Sequence, residues 1–551
     1  MIATWPLLPQ AGQVLTSGSA DGDLGYTIFA QWWSSQVLLG EASIRDCTLV
    51  YFPIGQDIAG SLWNLVVLFS TSWLHFFTDP VTAYNLSLIF IGTLNALAFF
   101  GLGRRLGGLW GGFAAATVAL ATPYAWSELY EGRPEQGLMA PLALYAWSLV
   151  NLKEGRPRAW LWTGLSMALV AACYWFMAPL LALGLLPALG AGLLLKVTWK
   201  DLAKAVGVSL VAILPFLWLI LPSLSAEGSF RSLRDPGNAL FMRSHNSIDP
   251  IDSLFWFTQS DYLKQALPFL LVVGLVLSFR QRKARPWLAA VVASMVLAMG
   301  PVLLIGREPF RISDGYLPMP MALLDLLPGM ARFWWPYRAI SVVIVAAAAA
   351  LAILVASLPE KRRLVLVLPA LLLLLAEGRH MSLLGVERTD PNLPESYFDP
   401  VPLGQFYRRD LPEWIHSPPE EGAILPFPFL SLTNYAHLHQ PYHQLPTALG
   451  DGVGEQLIRP SAFNAWVNEN PFLEAWIRGG EIPEDTANIN SLKDVGYRWI
   501  LWHLPSKDKY PETWERWKSD TGKLTAIVGQ PVHEEERLVV WDLETLTENG
   551  E

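Results

Sequence analysis

The sequence is poor in cysteine and in charge. It contains only two cysteines, Cys47 and Cys173, among 551 residues, and this number excludes a disulfide framework. Only 16% of the residues are charged whereas 52% are hydrophobic, a balance that excludes an ordinary soluble protein. A basic excess is also absent, since 39 Lys and Arg stand against 48 Asp and Glu. Because nucleic-acid binding depends on cationic side chains that neutralise phosphates, we expect no nucleic-acid partner.

Long apolar stretches are the main feature that is present. A helix needs about 20 residues to cross the hydrocarbon core of a bilayer. We predict ten transmembrane helices, near residues 82–103, 107–123, 136–152, 158–173, 175–196, 203–222, 263–280, 286–305, 337–357 and 361–377. Basic clusters lie in every second loop between them, at 104–105, 153–158, 196–204, 280–285 and 361–363. By the positive-inside rule these five loops face the cytoplasm, and the other loops face the opposite side.

The N-terminal 81 residues then lie outside the cytoplasm. The apolar stretch 58–77 cannot be a simple crossing in this topology, so we interpret it as a re-entrant or interfacial segment. The start "MIATWPLLPQAGQ" has neither a basic region nor a full apolar core, and therefore does not resemble a signal sequence. We expect that Met1 is an internal start and that a further span ends near Trp5 and Pro6.

The C-terminal residues 378–551 differ in composition from the rest. They hold about half of all Asp and Glu and most of the histidines, as expected of a water-facing domain. Stretches 422–428, 496–504 and 537–544 are rich in β-branched and aromatic residues and are predicted to be strands. The predicted fold is a polytopic α-helical membrane protein with a C-terminal extracytoplasmic mixed α/β domain. Its parts are a first outer loop (1–81), a transmembrane domain (82–377) and this soluble domain (378–551).

Three histidines of that domain, His437, His439 and His443 in "NYAHLHQPYHQ", admit two interpretations. On a strand, His-x-His places both rings on one face, as in a zinc site. Alternatively they are ordinary exposed histidines of a loop. Because the spacing fixes no fourth ligand, we predict no metal centre here.

Two aspartates, Asp21 and Asp23, lie in "SGSADGDLGYTIFAQWW" directly before an apolar aromatic segment. A carboxylate on the outer side can accept the proton of an attacking hydroxyl. Two carboxylates can also contribute to a Mg²⁺ or Mn²⁺ site if phosphate and water complete the shell. The third interpretation is a polar turn, because Asp and Gly are favoured in turns by local hydrogen bonding.

A second charged segment is the predicted outer turn "ELYEGRPEQ" at 128–136. Its charges can pair with one another. Alternatively Glu131 or Glu135 contacts an acceptor or a metal, and Arg133 contacts a phosphate.

Arginines and aromatic residues alternate in the region 306–338. The arginines are Arg307, Arg311, Arg332 and Arg338. Arginine with aromatics suits an anionic lipid headgroup beside a sugar, through bidentate phosphate contacts and stacking. It equally suits an ordinary interfacial belt.

The order of several short motifs resembles that of bacterial membrane glycosyltransferases of the type C superfamily, over roughly the first 360 residues. These motifs are "ADGD", "WW", "YFPIGQD", "VTAYNLSLIF", "GLGRRLGG", "ATPYAW" with "EGRPEQ", and "LLPGMARFWWPYRAIS". The resemblance implies a sugar donor linked to polyprenyl phosphate, and an acidic residue of the first outer loop that activates the acceptor. Carried over to this chain, that role falls on Asp21 or Asp23. The absent first span departs from the family pattern.

Our leading hypothesis from the sequence is a glycosyltransferase of the bacterial inner membrane. It would move a sugar from a polyprenyl-phosphate donor to an envelope glycan, lipid or protein, without a cofactor unless a divalent cation binds. One alternative is a non-catalytic envelope scaffold that binds a partner through residues 378–551. The other is a lipid or glycan transporter, which the almost uncharged spans and the absence of a repeat disfavour.

The predicted topology can be tested by cysteine labelling in intact cells, after both native cysteines have been replaced. A cysteine at position 420 should react with an impermeant reagent, whereas cysteines at 156 and 283 should react only after permeabilisation. Labelling of position 283 in intact cells would reverse the predicted orientation.

Overall fold

A computed structural model gives the structure of the protein. It describes residues 7–8, 11–12, 14–15, 23–57, 65–130, 132–174, 177–188, 197–225, 247–249, 274–306, 308–313, 315–322, 335–363, 368, 407–408, 412–416, 421–427, 433–448, 460–470, 472–473, 486–504, 511–535 and 538–547.

Helices dominate the described residues up to position 363. The α-helices are α1 (Leu24–Leu39), α2 (Leu65–Ser72), α3 (Pro80–Ala121), α4 (Pro123–Tyr130), α5 (Pro134–Gly137), α6 (Ala140–Lys153), α7 (Ala159–Cys173), α8 (Met177–Ala188), α9 (Trp199–Ser225), α10 (Arg285–Ala298), α11 (Ile340–Ser357), α12 (Glu360–Arg362), α13 (Glu413–His416), α14 (Thr433–His443), α15 (Ser461–Glu469), α16 (Thr486–Val495) and α17 (Pro511–Val528). The strands are β1 (Val14–Leu15), β2 (Leu304–Ile305), β3 (Glu308–Pro309), β4 (Arg311–Ile312), β5 (Gly315–Tyr316), β6 (Tyr407–Arg408), β7 (Ala423–Phe427), β8 (Tyr497–His503), β9 (His533–Glu535) and β10 (Leu538–Asp542).

Helix α3 is a helical hairpin rather than one straight helix. Gly108 interrupts it with φ 67° and ψ −162°, a conformation that favours glycine. The two arms then pack closely, because a Cβ added to Gly103 would lie 2.3 Å from the carbonyl oxygen of Gly111. The sequence predicted two spans here, 82–103 and 107–123, and the turn falls close to the predicted loop.

Several described helices are apolar enough for a bilayer. Three are also long enough to cross one: Pro80–Ala121, Trp199–Leu219 and Pro336–Ser357. Shorter apolar helices in the described residues are Val66–Phe76, Ala159–Cys173 and Arg285–Ala298. These features fit a polytopic membrane protein.

Three of the ten predicted helices either differ from the described structure or lie largely outside it. The prediction of a helix over 286–305 was too long, because α10 stops at Ala298 and Gly300 follows with φ 79°. The predicted spans 263–280 and 361–377 lie largely outside the described residues.

Two of the predicted basic loops lie side by side. Arg105 of one forms an ion pair with Glu154 of the other, and donates through Nε to Asn151 Oδ1 at 3.1 Å. The alternation of the five basic loops and their cytoplasmic location stay predictions.

The C-terminal part is built on a four-stranded mixed sheet with the order β7-β8-β10-β9. Strand β7 runs parallel to β8, whereas β10 is antiparallel to both of its neighbours. All residues of β7 and β10 are buried. Three of the strands occur where β-branched and aromatic residues predicted them.

The histidine segment is a helix, so the strand interpretation was wrong. Helix α14 buries all three histidines, which also excludes exposed loop positions. His437 stacks on Phe29 of α1, with ring centroids 5.4 Å apart. Burial, and then the charges of His439 and His437, lowers the pKa of His443 to about 3, and its Nδ1 accepts from the Leu445 amide. These are core histidines that attach the C-terminal part to α1.

The α3–α11 contact supplies a test of the packing. A Cβ on Gly107 would lie 2.1 Å from the backbone oxygen of Ala352, so Gly107→Ala should lower the melting temperature of the purified protein in detergent. The matched control is Gly207→Ala in α9, where a Cβ has no heavy atom within 4 Å. That change should raise stability by about 0.5–1 kcal/mol, since alanine is the better helix former. Equal melting temperatures for the two variants would contradict the described packing.

Candidate active site

The loop between α4 and α6 packs directly on the start of α1. Gly132 has φ 88°, and a Cβ there would lie 2.3 Å from the backbone nitrogen of Leu24, so only glycine fits. Thr27 of α1 also donates through Oγ1 to the carbonyl oxygen of Gly132 at 2.6 Å. Asp23, the residue directly before α1, is therefore held beside this loop.

Arg133 joins two carboxylates of different segments. Its Nε donates to Asp23 Oδ2 at 2.6 Å, and its Nη1 donates to Glu128 Oε2 at 3.3 Å. The Glu128 side chain is only 3% exposed, and that of Arg133 is 24% exposed. A carboxylate as buried as Glu128 requires a partner, because water cannot solvate it. The pairing of charges within the turn is thus real, and it also reaches the first outer segment.

A third segment, directly before α11, contributes Tyr337 and Arg338 to the same site. Tyr337 donates through its hydroxyl to Glu128 Oε1 at 3.0 Å, across 209 positions of sequence. The next residue, Arg338, is only 4% exposed. Its guanidinium carbon lies 4.2 Å from the ring centroid of Trp335 and 4.9 Å from that of Tyr174. We call Asp23, Glu128, Arg133, Tyr337 and Arg338 the charged cluster.

Arg338 differs from Arg133 in its partners. Within the described part of the chain it forms no ion pair, and its Nε has no hydrogen-bond partner although it is buried. Two aromatic faces stabilise the cation through its π contacts but do not satisfy its Nε–H group. A buried guanidinium in this state is suited to an anionic ligand such as a phosphate.

The structure brings together only some of the residues predicted from the sequence. Asp23, Arg133 and Arg338 belong to the charged cluster. Glu135 lies in α5 of the same loop, where its Oε1 accepts from Gln136 Nε2 at 2.9 Å.

Arg311 lies elsewhere, on an exposed hairpin. Its guanidinium stands 5.5 Å from the ring centroid of Tyr316 in that hairpin. This contact fits the interfacial arginine–aromatic interpretation. Four further candidates lie outside the described residues, and their roles stay predictions: Asp21, Glu131, Arg307 and Arg332.

Two members of the charged cluster are not among the site residues predicted from the sequence. The charged turn predicts, as one alternative, the pairing of Glu128 with Arg133, but not the burial of Glu128 or its contact with Tyr337. Tyr337 is one of the aromatics that suit either a lipid headgroup beside a sugar or an interfacial belt. The motif "FWWPYR" contains both Tyr337 and Arg338, but nothing in it identifies Glu128 as the partner of the hydroxyl.

A metal centre is not formed by the described residues. No three His, Cys, Asp or Glu side chains among them are grouped as metal ligands. Of the two aspartates considered for Mg²⁺ or Mn²⁺, Asp23 already gives Oδ2 to Arg133, and Asp21 lies outside the described residues. A divalent cation at this position stays a proposal.

Comparison with known proteins gave structural neighbours but no sequence relatives. No protein-family model and no curated protein matches the sequence. The oligosaccharyltransferase of Archaeoglobus fulgidus, in a complex with Zn and sulfate, has a TM-score of 0.46 at 13% identity, over 93% of this chain and 67% of that one. ArnT from Cupriavidus metallidurans, bound to undecaprenyl phosphate, has a TM-score of 0.46 at 12% identity, over 98% of this chain and 96% of that one. The archaeal enzyme also has a structure in complex with an inhibitory peptide and a dolichol-phosphate, with a TM-score of 0.39 at 12% identity over 91% of this chain and 67% of that one.

The ion pair between Arg133 and Glu128 can be tested by a double-mutant cycle. Arg133→Ala leaves the buried Glu128 carboxylate without its cation, and we expect a loss of about 1–3 kcal/mol in unfolding free energy. Glu128→Gln in the Arg133→Ala background should recover much of this loss, because the uncompensated charge is removed. Thermal and denaturant unfolding in detergent measure both effects. Strictly additive losses would show that the two side chains are not coupled.

Proposed function

We propose that this protein transfers a sugar from a polyprenyl-phosphate donor to a cell-envelope glycan, lipid or protein, on the extracytoplasmic face of the bacterial inner membrane. The motif order of the first 360 residues supports this class. The observation that carries the proposal is the charged cluster, in which the carboxylate of Asp23 and the buried guanidinium of Arg338 are linked through a continuous chain of contacts. Glycosyl transfer needs both groups, a proton acceptor and a stabiliser of the departing phosphate.

In the proposed reaction, the acceptor hydroxyl donates a hydrogen bond to Asp23. The hydroxyl oxygen forms a bond to the anomeric carbon of the donor sugar, and its proton passes to the Asp23 carboxylate. The bond between that carbon and the phosphate oxygen breaks, and the lipid phosphate leaves with the bonding electrons. Arg338 then stabilises the charge that develops on the phosphate.

Arg133 has a positioning role in this proposal. Its guanidinium is shared between Asp23 and Glu128, so it fixes the orientation of Asp23 rather than serving as a free cation for the donor. Asp21 stays the second candidate for the base. Glu131, Glu135, Arg307, Arg311 and Arg332 stay candidates for contacts with the donor or the acceptor.

The same ion pairs would also stabilise a non-catalytic envelope scaffold, which is the alternative function. The two proposals differ at Arg338. In an enzyme the buried Nε of Arg338, which has no partner among the described residues, would bind the donor phosphate, whereas a scaffold requires no ligand there.

Substitution of Asp23 tests the proposed reaction. Asp23→Asn keeps the size of the side chain but removes the proton acceptor, so transfer should fall by ~10²–10⁴-fold. The assay uses a radiolabelled polyprenyl-phosphate hexose, membranes that contain the protein and an envelope extract. The matched control is Asp57→Asn, at a surface aspartate that pairs with Arg45 at 3.6 Å, and it should leave the rate unchanged. Full transfer by Asp23→Asn in a folded protein would remove Asp23 from the mechanism. Absence of any transfer by the unmodified protein would favour the scaffold.

A further inference from the structure

Tyr124 is a partly buried residue with a buried hydroxyl that the proposed reaction does not use. It lies in α4, one helical turn before Glu128, and its ring contacts the ring of Tyr337 edge to face at 6.4 Å. Its hydroxyl is buried, and none of the described residues is a hydrogen-bond partner for it. Leaving such a hydroxyl unsatisfied costs free energy, so a ligand is a physical reason for its presence.

Arg338 approaches the same tyrosine ring. Its guanidinium carbon lies 6.0 Å from the Tyr337 centroid, so Tyr124 and Arg338 both border Tyr337. Its Nε is the second buried polar atom in this place without a partner in the described residues. Two buried hydrogen-bond donors without a described partner therefore border the same ring, which indicates a ligand site rather than an isolated unsatisfied atom.

Both groups are hydrogen-bond donors at neutral pH. Burial, with the charge of Glu128 adding to it, raises the pKa of Tyr124 well above its usual range, so the hydroxyl keeps its proton. The nearest carboxylate already serves other donors, since Glu128 accepts from Tyr337 at Oε1 and from Arg133 at Oε2. A ligand that fills the site must therefore bring acceptor oxygens and negative charge.

We propose that the Tyr124 hydroxyl and the Arg338 Nε together bind the non-bridging oxygens of the donor phosphate, which makes Tyr124 a further donor-binding residue. The identity of the ligand as a lipid-linked phosphate rests on the proposed function. The chemistry of the site is shared with free inorganic phosphate, so a test must separate the two sources.

The test is Tyr124→Phe, which removes only the hydroxyl oxygen. Because none of the described residues is a hydrogen-bond partner of this oxygen, the melting temperature should stay the same or rise. The affinity for undecaprenyl phosphate in detergent should fall by ~10–100-fold, as expected for a lost hydrogen bond to a charged group. The matched stability control is Tyr84→Phe, whose hydroxyl donates to the Leu129 carbonyl at 2.5 Å, and its melting temperature should fall.

Binding is measured with undecaprenyl phosphate, undecaprenol and inorganic phosphate. Tight binding of undecaprenyl phosphate alone supports the proposal. Equally tight binding of inorganic phosphate would assign the site to a free anion and overturn it. A lower melting temperature of Tyr124→Phe with unchanged affinity for undecaprenyl phosphate would also overturn it, because the hydroxyl would then be structural. A lower affinity in Tyr124→Phe, together with full transfer by Asp23→Asn, would support this phosphate site while contradicting the role of Asp23 in the proposed reaction.

Discussion

The arrangement of the candidate site depends on the guanidinium of Arg133. This one group compensates the buried carboxylate of Glu128 and at the same time holds Asp23, which is 110 positions away in sequence. A buried carboxylate without a cation is strongly unfavourable. Arg133, held by Glu128, also binds Asp23 and so fixes the loop between α4 and α6 against the start of α1, and Gly132 allows the close backbone approach that this contact requires.

The C-terminal part supports the same helix from its other side. His437 of α14 packs on Phe29 and also against Tyr26 of α1, with ring centroids 5.3 Å apart in the latter pair. From the same helix, Tyr442 donates to Asp79, the residue that caps α3, at 3.3 Å. The sheet of β7 to β10 thus shares one hydrophobic core with Tyr26 and Phe29 of α1.

The charged cluster contains two arginines with different surroundings. Arg133 is neutralised by protein carboxylates and acts on structure. Arg338 is buried between aromatic rings and forms no ion pair with the described residues. The charge of Glu128 acts on it without such a contact, so its buried Nε is left to a ligand. Arg133 can therefore hold the geometry of the site while Arg338 binds an anion, because neither arginine has to do both.

The sequence by itself determined the elements whose signals are local. Apolar runs predicted helices, the basic pair Arg104 and Arg105 between two such runs predicted a break within α3, and β-branched and aromatic residues predicted strands β7, β8 and β10. It also identified Asp23, Arg133 and Arg338 as candidates. Only the tertiary structure decided which of them meet, because the contacts of Arg133 with Asp23 and of Tyr337 with Glu128 span 110 and 209 positions of sequence, and no local pattern encodes such pairings. It also decided that the histidine segment is helical, since packing against α1 outweighs the weak conformational preference of those eleven residues.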